Sequence, residues 1–322
     1  LPIYSCVIII TLVIGNITNH GESVWRSILI SLFICILLVR DFFRYEEFSS
    51  FCPDTALKRD LIYASLTIIL VSFLISFSNI NSLLAFVING LASFVVIFKP
   101  FKLHLREMPN KNLIIQSFRK SWNHSKWSLI GATSSWIKTN SYVYIPFIFL
   151  GVREVAFLTA ARLVMTPITL LIGSWGNFFR PLISRLLSEN NFLGAKKLLK
   201  KSFLILFLIF MVYNFMVFLF FKFAPEQLFP SQYRHINNLV YLWALISFMQ
   251  ILQSNLSSFF QASLAFKSLA YLGLLSTVFT VIVSIVGVMY LEENGVLMAL
   301  IFGEFFFMIL LILRFKREKI GR

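Results

Sequence analysis

Apolar residues gather in ten long runs along the 322-residue chain, at roughly 1–15, 24–39, 60–78, 81–98, 126–150, 153–179, 201–223, 236–262, 267–291 and 295–313. Most are longer than a strand, and proline is rare inside them, so the pattern predicts helices. A bilayer core of about 30 Å needs about 20 apolar residues in a helix, and only helices or closed barrels satisfy the backbone there. The expectation is an all-α integral membrane protein. The first run is too short for a full crossing and has neither the basic start nor the cleavage site of a signal peptide. Helices preceding it are therefore expected to be missing from this sequence, leaving about ten.

The polar segments between the runs give an orientation. Alternating the loops across a membrane, with the first loop outside, places 23 of the 29 Lys and Arg residues inside. Arg26, Arg153, Lys222 and Arg234 fall outside, while Lys138 and Arg162 remain within runs. Basic residues favour the inside in every loop pair, which predicts a multi-pass protein with a cytoplasmic C terminus. The longest loop, 99–125, mixes apolar residues with charges and carries Pro100 and Pro109. It is expected to be an amphipathic segment on the cytoplasmic leaflet, separating a lobe at 1–98 from a lobe at 126–322.

Composition removes whole classes of function. Hydrophobic residues make up 58% of the chain and charged residues 13%, with 37 Phe; a soluble domain is about a quarter charged. The net charge of +15 is absorbed by topology, leaving no folded domain with a basic face for nucleic acid. Cys6 and Cys35 lie in apolar runs and Cys52 beside charges, which indicates neither a disulfide framework nor a metal site. The outside loops are short. Glu226, Glu292 and Glu293 form no paired pattern there, and no phosphate loop or nucleophile constellation is visible. A membrane polymerase or glycosyltransferase is the weaker reading for that reason; no enzyme activity, cofactor or metal is expected.

Three stretches together resemble the polysaccharide flippase branch of the multidrug/oligosaccharidyl-lipid/polysaccharide exporter superfamily. LVRDFFRYEEFSSFCPDTALKRDL (38–61) is similar to the family's basic loop between an early helix pair. Residues 126–186 resemble the two helices after the central linker. They have a Trp near the start, Gly151 at the outer turn, the small run Thr159-Ala160-Ala161, Pro167 mid-helix and Pro181 at the inner exit. Leu228 to Tyr233 sits where the family has a Gly-containing turn, from which Pro230 and Ser231 depart. The resemblance implies two lobes of about six helices. It also implies transport of undecaprenyl-pyrophosphate-linked oligosaccharide across the bacterial inner membrane by alternating access, for O-antigen or capsule assembly. Implied partners are that lipid-linked substrate, membrane lipids, and a polysaccharide polymerase with its chain-length partner.

Within the runs, three charges fall near mid-membrane, where each costs roughly 2.5 kcal/mol or more on insertion scales. These are Lys138, Arg162 and Glu304. In the sixth run Thr159, Arg162, Thr166, Thr169, Gly173, Asn177 and Arg180 share one helical face. The fifth run offers Ser134, Lys138, Ser141 and Tyr142, with Asn140 nearby; the eighth offers Gln250, Ser254, Ser257 and Gln261, with Gln253 beside them. The physical reading is a cationic cavity, with Arg162, Lys138, Asn140, Thr166, Asn177, Arg180, Gln250 and Gln253 toward substrate. A guanidinium holds phosphate through paired hydrogen bonds, and amides suit glycan hydroxyls. Glu304 is either a coupling-ion site or a partner for Arg162 or Lys138. Pro167 removes one backbone bond and marks a hinge. Serine and threonine can instead bond back to their own helix, and the Gln/Ser stripe can act as interhelical glue. A cation-coupled multidrug exporter of the same superfamily is the alternative, and cationic drugs would favour acidic cavities.

Overall fold

The computed structural model describes residues 21–75, 82–106, 111–223 and 236–320. The first apolar run, the Leu228–Tyr233 turn, Arg234 and most of the 222–235 loop lie outside these residues. The described residues form eight helices. They are α1 (Gly21–Ser49), α2 (Pro53–Ile75), α3 (Ser82–Arg106), α4 (Lys111–Phe149), α5 (Val152–Ser188), α6 (Phe192–Phe223), α7 (Ile236–Ala262) and α8 (Phe266–Ile320). Each apolar run from the second onward is helical over its described residues, and the last two share α8. Four helices, α5 to α8, are long and apolar enough to cross a membrane by length and composition.

Several helices run past their apolar segments at the end rich in Lys and Arg. An apolar run marks hydrocarbon depth, whereas the helix continues into water because Lys, Arg, Glu and Gln favour it. Residues 111–125 are therefore the first turns of α4 rather than a separate element. The chain divides into two compact units, Leu1–Lys111 and Asn112–Arg322.

In the first unit α1, α2 and α3 pack around Phe43, Ala56, Ile88, Ala92 and Ile97, all buried. Gly90 lets α3 approach α1: a Cβ there would lie 1.9 Å from the Phe33 ring. The α1–α2 turn is closed by Thr55, whose hydroxyl donates to the Cys52 carbonyl at 2.8 Å. Beside it lies a charged cluster. Arg59 pairs with Glu47, and Arg44 lies 3.0 Å from Asp60. Burial pushes the Glu47 carboxyl above the usual carboxylate value, and nearby Arg59 only partly offsets it.

In the second unit the main core joins Tyr142 and Ile145 of α4, Leu158, Ala161 and Met165 of α5, Val240, Trp243 and Ile246 of α7, and Val296, Leu297 and Leu300 of α8. Lipid is as apolar as leucine, so burial of grease alone does not hold helices together in a membrane. Close approach and interhelical hydrogen bonds must contribute, and the second limb of α8 shows both. At Glu292 the backbone leaves helical geometry (φ 51°, ψ −133°) and the chain reverses. A Cβ on Gly295 would lie 2.0 Å from the Gly287 carbonyl oxygen, so the two limbs touch backbone to backbone. Further along, Ser276 donates to the Gly303 carbonyl at 2.9 Å. The α4–α5 turn depends on Gly151, whose φ of +98° disfavours any side chain; its N–H donates to the Pro146 carbonyl at 3.0 Å.

Candidate functional site: a polar spine inside the second unit

The stripe on α4 turns inward. Ser134, Lys138, Ser141 and Tyr142 are all at most 5% exposed. Their neighbours build the spine level by level, starting from the end of the unit with the basic residues.

At the first level the hydroxyls of Ser134 and Thr277 (α8) lie 2.9 Å apart. One turn on, the Lys138 ammonium donates to Glu304 Oε2 at 2.7 Å. Both side chains are almost fully buried, at 6% and 3% exposed. Lys138 Nζ also sits 4.7 Å from the centre of the Phe307 ring. Glu304 collects two amides from α7: Gln253 Nε2 donates to Oε2 and Gln250 Nε2 approaches Oε1 at 3.5 Å. The carboxylate is thus ringed by donors from two helices, the arrangement a buried anion requires. One group in the ring is left over. Gln253 Oε1 is buried and has no hydrogen-bond partner.

The third level lies another turn along α4, about 6 Å further. Here Arg162 of α5 donates through Nη1 to the Tyr142 hydroxyl at 2.8 Å. Its Cζ stands 5.0 Å from the Tyr142 ring centre and 5.6 Å from that of Trp243. Those rings meet edge to face at 5.0 Å, and Trp243 is fixed by its indole N–H donating to the Leu158 carbonyl at 3.1 Å. Aromatic faces and one phenol therefore hold the guanidinium. No ion pair to Arg162 exists among the described residues; Glu304 goes to Lys138 instead. Of the two partners weighed for Glu304, the structure selects lysine because Lys138 and Glu304 face each other at the same depth.

The remaining predicted residues scatter. Thr166 donates back to the Arg162 carbonyl at 3.3 Å, and Thr169 to the Thr166 carbonyl at 2.8 Å, so this part of the α5 stripe satisfies itself. Asn140 donates to the Trp136 carbonyl at 2.9 Å on its own helix, away from the spine. Asn177 is half-buried. The Arg180 guanidinium folds back over Gly176, where a Cβ would meet Nη2 at 2.9 Å; this places it about four turns from the Arg162 level. Pro167 is exposed within an unbroken α5. Lys138, Gln250, Gln253 and Glu304 come together; Arg162 joins Tyr142 one level on; Asn140, Asn177 and Arg180 belong to neither group.

One buried network escapes the sequence reading. Trp175 (α5) donates to the Ser202 hydroxyl (α6) at 2.6 Å, and Ser202 donates to Asn255 Oδ1 (α7) at 2.6 Å. In the sequence Asn255 stands out only through a chance-level Asn-x-Ser match inside an apolar run. Its true signal was a second α7 face, Ser247, Ile251, Asn255 and Ser258, at helical spacing.

Comparison with known proteins bears on the fold. No family model matches the sequence, and no curated protein does. Solved structures do match over nearly the whole chain. One is a multidrug resistance MATE family transporter of the MOP superfamily in an outward-facing conformation (TM-score 0.72, 16% identity, 99% of this chain and 78% of that one). Another is MATE in a straight conformation (TM-score 0.73, 15% identity, 99% and 76%). A third is a MOP superfamily transporter from Pyrococcus furiosus Vc1, described as having a binding pocket of reverse polarity (TM-score 0.65, 16% identity, 98% and 77%). At such identities the likeness speaks for architecture alone: this all-helical membrane chain has a fold similar to that of the MATE transporters.

Proposed function

We propose that the chain works as an alternating-access exporter of the multidrug type, coupled to a cation at Glu304, and that its substrate carries an anionic group. The observation that carries the charge preference is Arg162. Its guanidinium is partly buried, is held by aromatic rings rather than by a carboxylate, and keeps donors free for a ligand. The nearest acid on its own helix, Glu154, lies eight residues away, about 12 Å along the axis. A guanidinium placed this way binds phosphate, sulfonate or carboxylate better than a cationic drug. The matched proteins support transport as the class, and the Pyrococcus protein supports variable pocket polarity within the fold.

Coupling follows from the second level. A proton arriving at Glu304 neutralises the carboxylate and leaves Lys138 as an uncompensated ammonium. The Gln253 amide can then turn, so that its orphaned Oε1 accepts the new Glu304 O–H. That turn exchanges the Gln253 N–H bond to the carboxylate for an O–H bond from the carboxyl, while Lys138 loses its charged partner.

Flipping of lipid-linked oligosaccharide is the second reading, favoured by the fit of a guanidinium to pyrophosphate. One experiment tests both. Proteoliposomes under a proton gradient are given an anionic fluorescent amphiphile or a tagged undecaprenyl-pyrophosphate oligosaccharide. Movement of the dye alone supports the exporter, and movement of the lipid-linked sugar alone supports the flippase. Arg162→Ala is expected to lower either rate by about tenfold or more, the scale of a lost charge-assisted hydrogen bond. Its abundance in the membrane should stay unchanged. Arg162→Lys should keep part of the activity. Wild-type transport by Arg162→Ala removes the residue from the mechanism.

A further inference from the structure

A separate cavity lies on the other side of Lys138, toward the basic end of the unit. Its volume is about 270 Å³, and α4, α7 and both limbs of α8 line it. Small residues make the room: a Cβ on Gly131 would stand 3.6 Å from the Ala270 Cα, and one on Gly273 would meet only the Ser134 hydroxyl, at 4.0 Å. The space is smaller than most drug sites, which run about 300–1,000 Å³. It matches a body of one or two small rings or one short chain.

The lining has two chemistries. Trp127 and Phe266 contribute aromatic surface, and Phe307 does so at the deep end beside Lys138. Ser128, Ser135, Ser257, Gln261 and Lys138 supply polar groups. Ser257 and Gln261 bond each other at 3.1 Å. Ser128 and Ser135 have no hydrogen bond among the described residues. Ser135 lies nine residues into the apolar run from Lys126, about 14 Å deep. Both residues are exposed, so their hydroxyls are open to an occupant of the cavity.

The charges choose the sign. Among the described residues no carboxylate lines the cavity, whereas Lys138 does, and its ammonium has one of three protons committed to Glu304. At the other end Lys267 stands 5.5 Å over the Trp127 ring, and Lys126 is adjacent in sequence. A path that is cationic at both ends and aromatic between suits an acid with an aromatic or aliphatic body.

We propose that this cavity is a second ligand site, distinct from the Arg162 level, for a small anionic amphiphile whose acid group reaches Lys138 and whose body packs on Trp127 and Phe266. The site requires no transport cycle. An acid bound there shares the Lys138 ammonium with Glu304, so occupancy and the Glu304 ion pair are linked. The acid can be a free solute or an anionic lipid headgroup.

The test is photolabelling of the purified full chain in zwitterionic nanodiscs with 4-benzoylbenzoic acid, beside the uncharged 4-benzoylbenzamide, with peptides mapped by mass spectrometry. The acid should label cavity residues about tenfold more than the amide, the scale of one charge-assisted hydrogen bond. Ala132→Phe, at an exposed lining position, fills the space and should abolish that labelling. The double variant Lys138→Met with Glu304→Gln leaves no stranded charge, so it should fold and should reduce acid labelling to the amide level. Added phosphatidylglycerol that competes with the acid identifies a lipid source, and failure to compete identifies a soluble one. Equal labelling by acid and amide, labelling that survives either variant, or labels confined to outward-facing residues would overturn the proposal. Because no gradient is used, its failure leaves the exporter reading untouched, and the reverse also holds.

Discussion

Removing one member of the Lys138–Glu304 pair strands the other charge in a dry bundle, whereas removing both does not. Glu304→Ala should therefore destabilise the protein by about 3–5 kcal/mol. Lys138→Met combined with Glu304→Gln should be close to neutral in stability yet lose proton-coupled transport. Thermal unfolding in detergent, run beside the transport assay, separates the two effects. Equal destabilisation by the single and double changes would mean that the pair is not a closed unit. The sequence made all three mid-membrane charges visible, since a charge inside an apolar run stands out against its neighbours. It could not say which would meet. Lys138 and Glu304 are 166 residues apart, and both Arg162 and Lys138 lie at plausible depth for the carboxylate.

Among the elements, α8 depends most visibly on backbone contact. Its limbs are held by Gly287 against Gly295 and by Gly303 against Thr280, whose Oγ1 would lie 1.9 Å from an added Cβ. Gly295→Val should force the limbs apart and move Glu304 away from Lys138. Both a lower melting temperature and loss of transport are expected, because the displaced limb carries the carboxylate. A variant with wild-type stability would show that the limbs are not in contact. The sequence made the element legible as two apolar runs, but not the contact between them, since glycines are frequent in membrane helices for many reasons. The polar stripes were legible in the same limited way. Helical spacing placed residues on a common face, yet it could not separate the α4 stripe, which lines the interior, from the Thr166 and Thr169 part of the α5 stripe, which bonds to itself.

At the scale of the molecule the two compact units carry their charge differently. Among the described residues the second holds one buried ion pair and one guanidinium in an aromatic frame; the first holds a mixed cluster around Glu47 at the end of α1. Burial raises the folded-state pKa of Glu47 above its ordinary 4.5, so folding favours its protonated form. Its contribution to stability is greatest below the unfolded value and is lost as pH rises through the raised one. Glu47→Gln should flatten this part of the stability profile, so that melting temperatures of variant and wild type diverge with pH across that window. Parallel profiles would place the carboxyl in water. The measurement is a pH series of thermal shifts on the full chain.

Chain chemistry by itself determined that this protein is helical, spans membranes many times and keeps three charges where lipid would reject them. Those conclusions need only local quantities: run length, residue type and helical period. Which polar groups meet, which stay self-satisfied, and where a cavity opens depend on contacts between residues distant in sequence. Only the packed bundle decided those, because the small residues that let helices approach and the donors that ring Glu304 act through distance in space, which a one-dimensional pattern does not record.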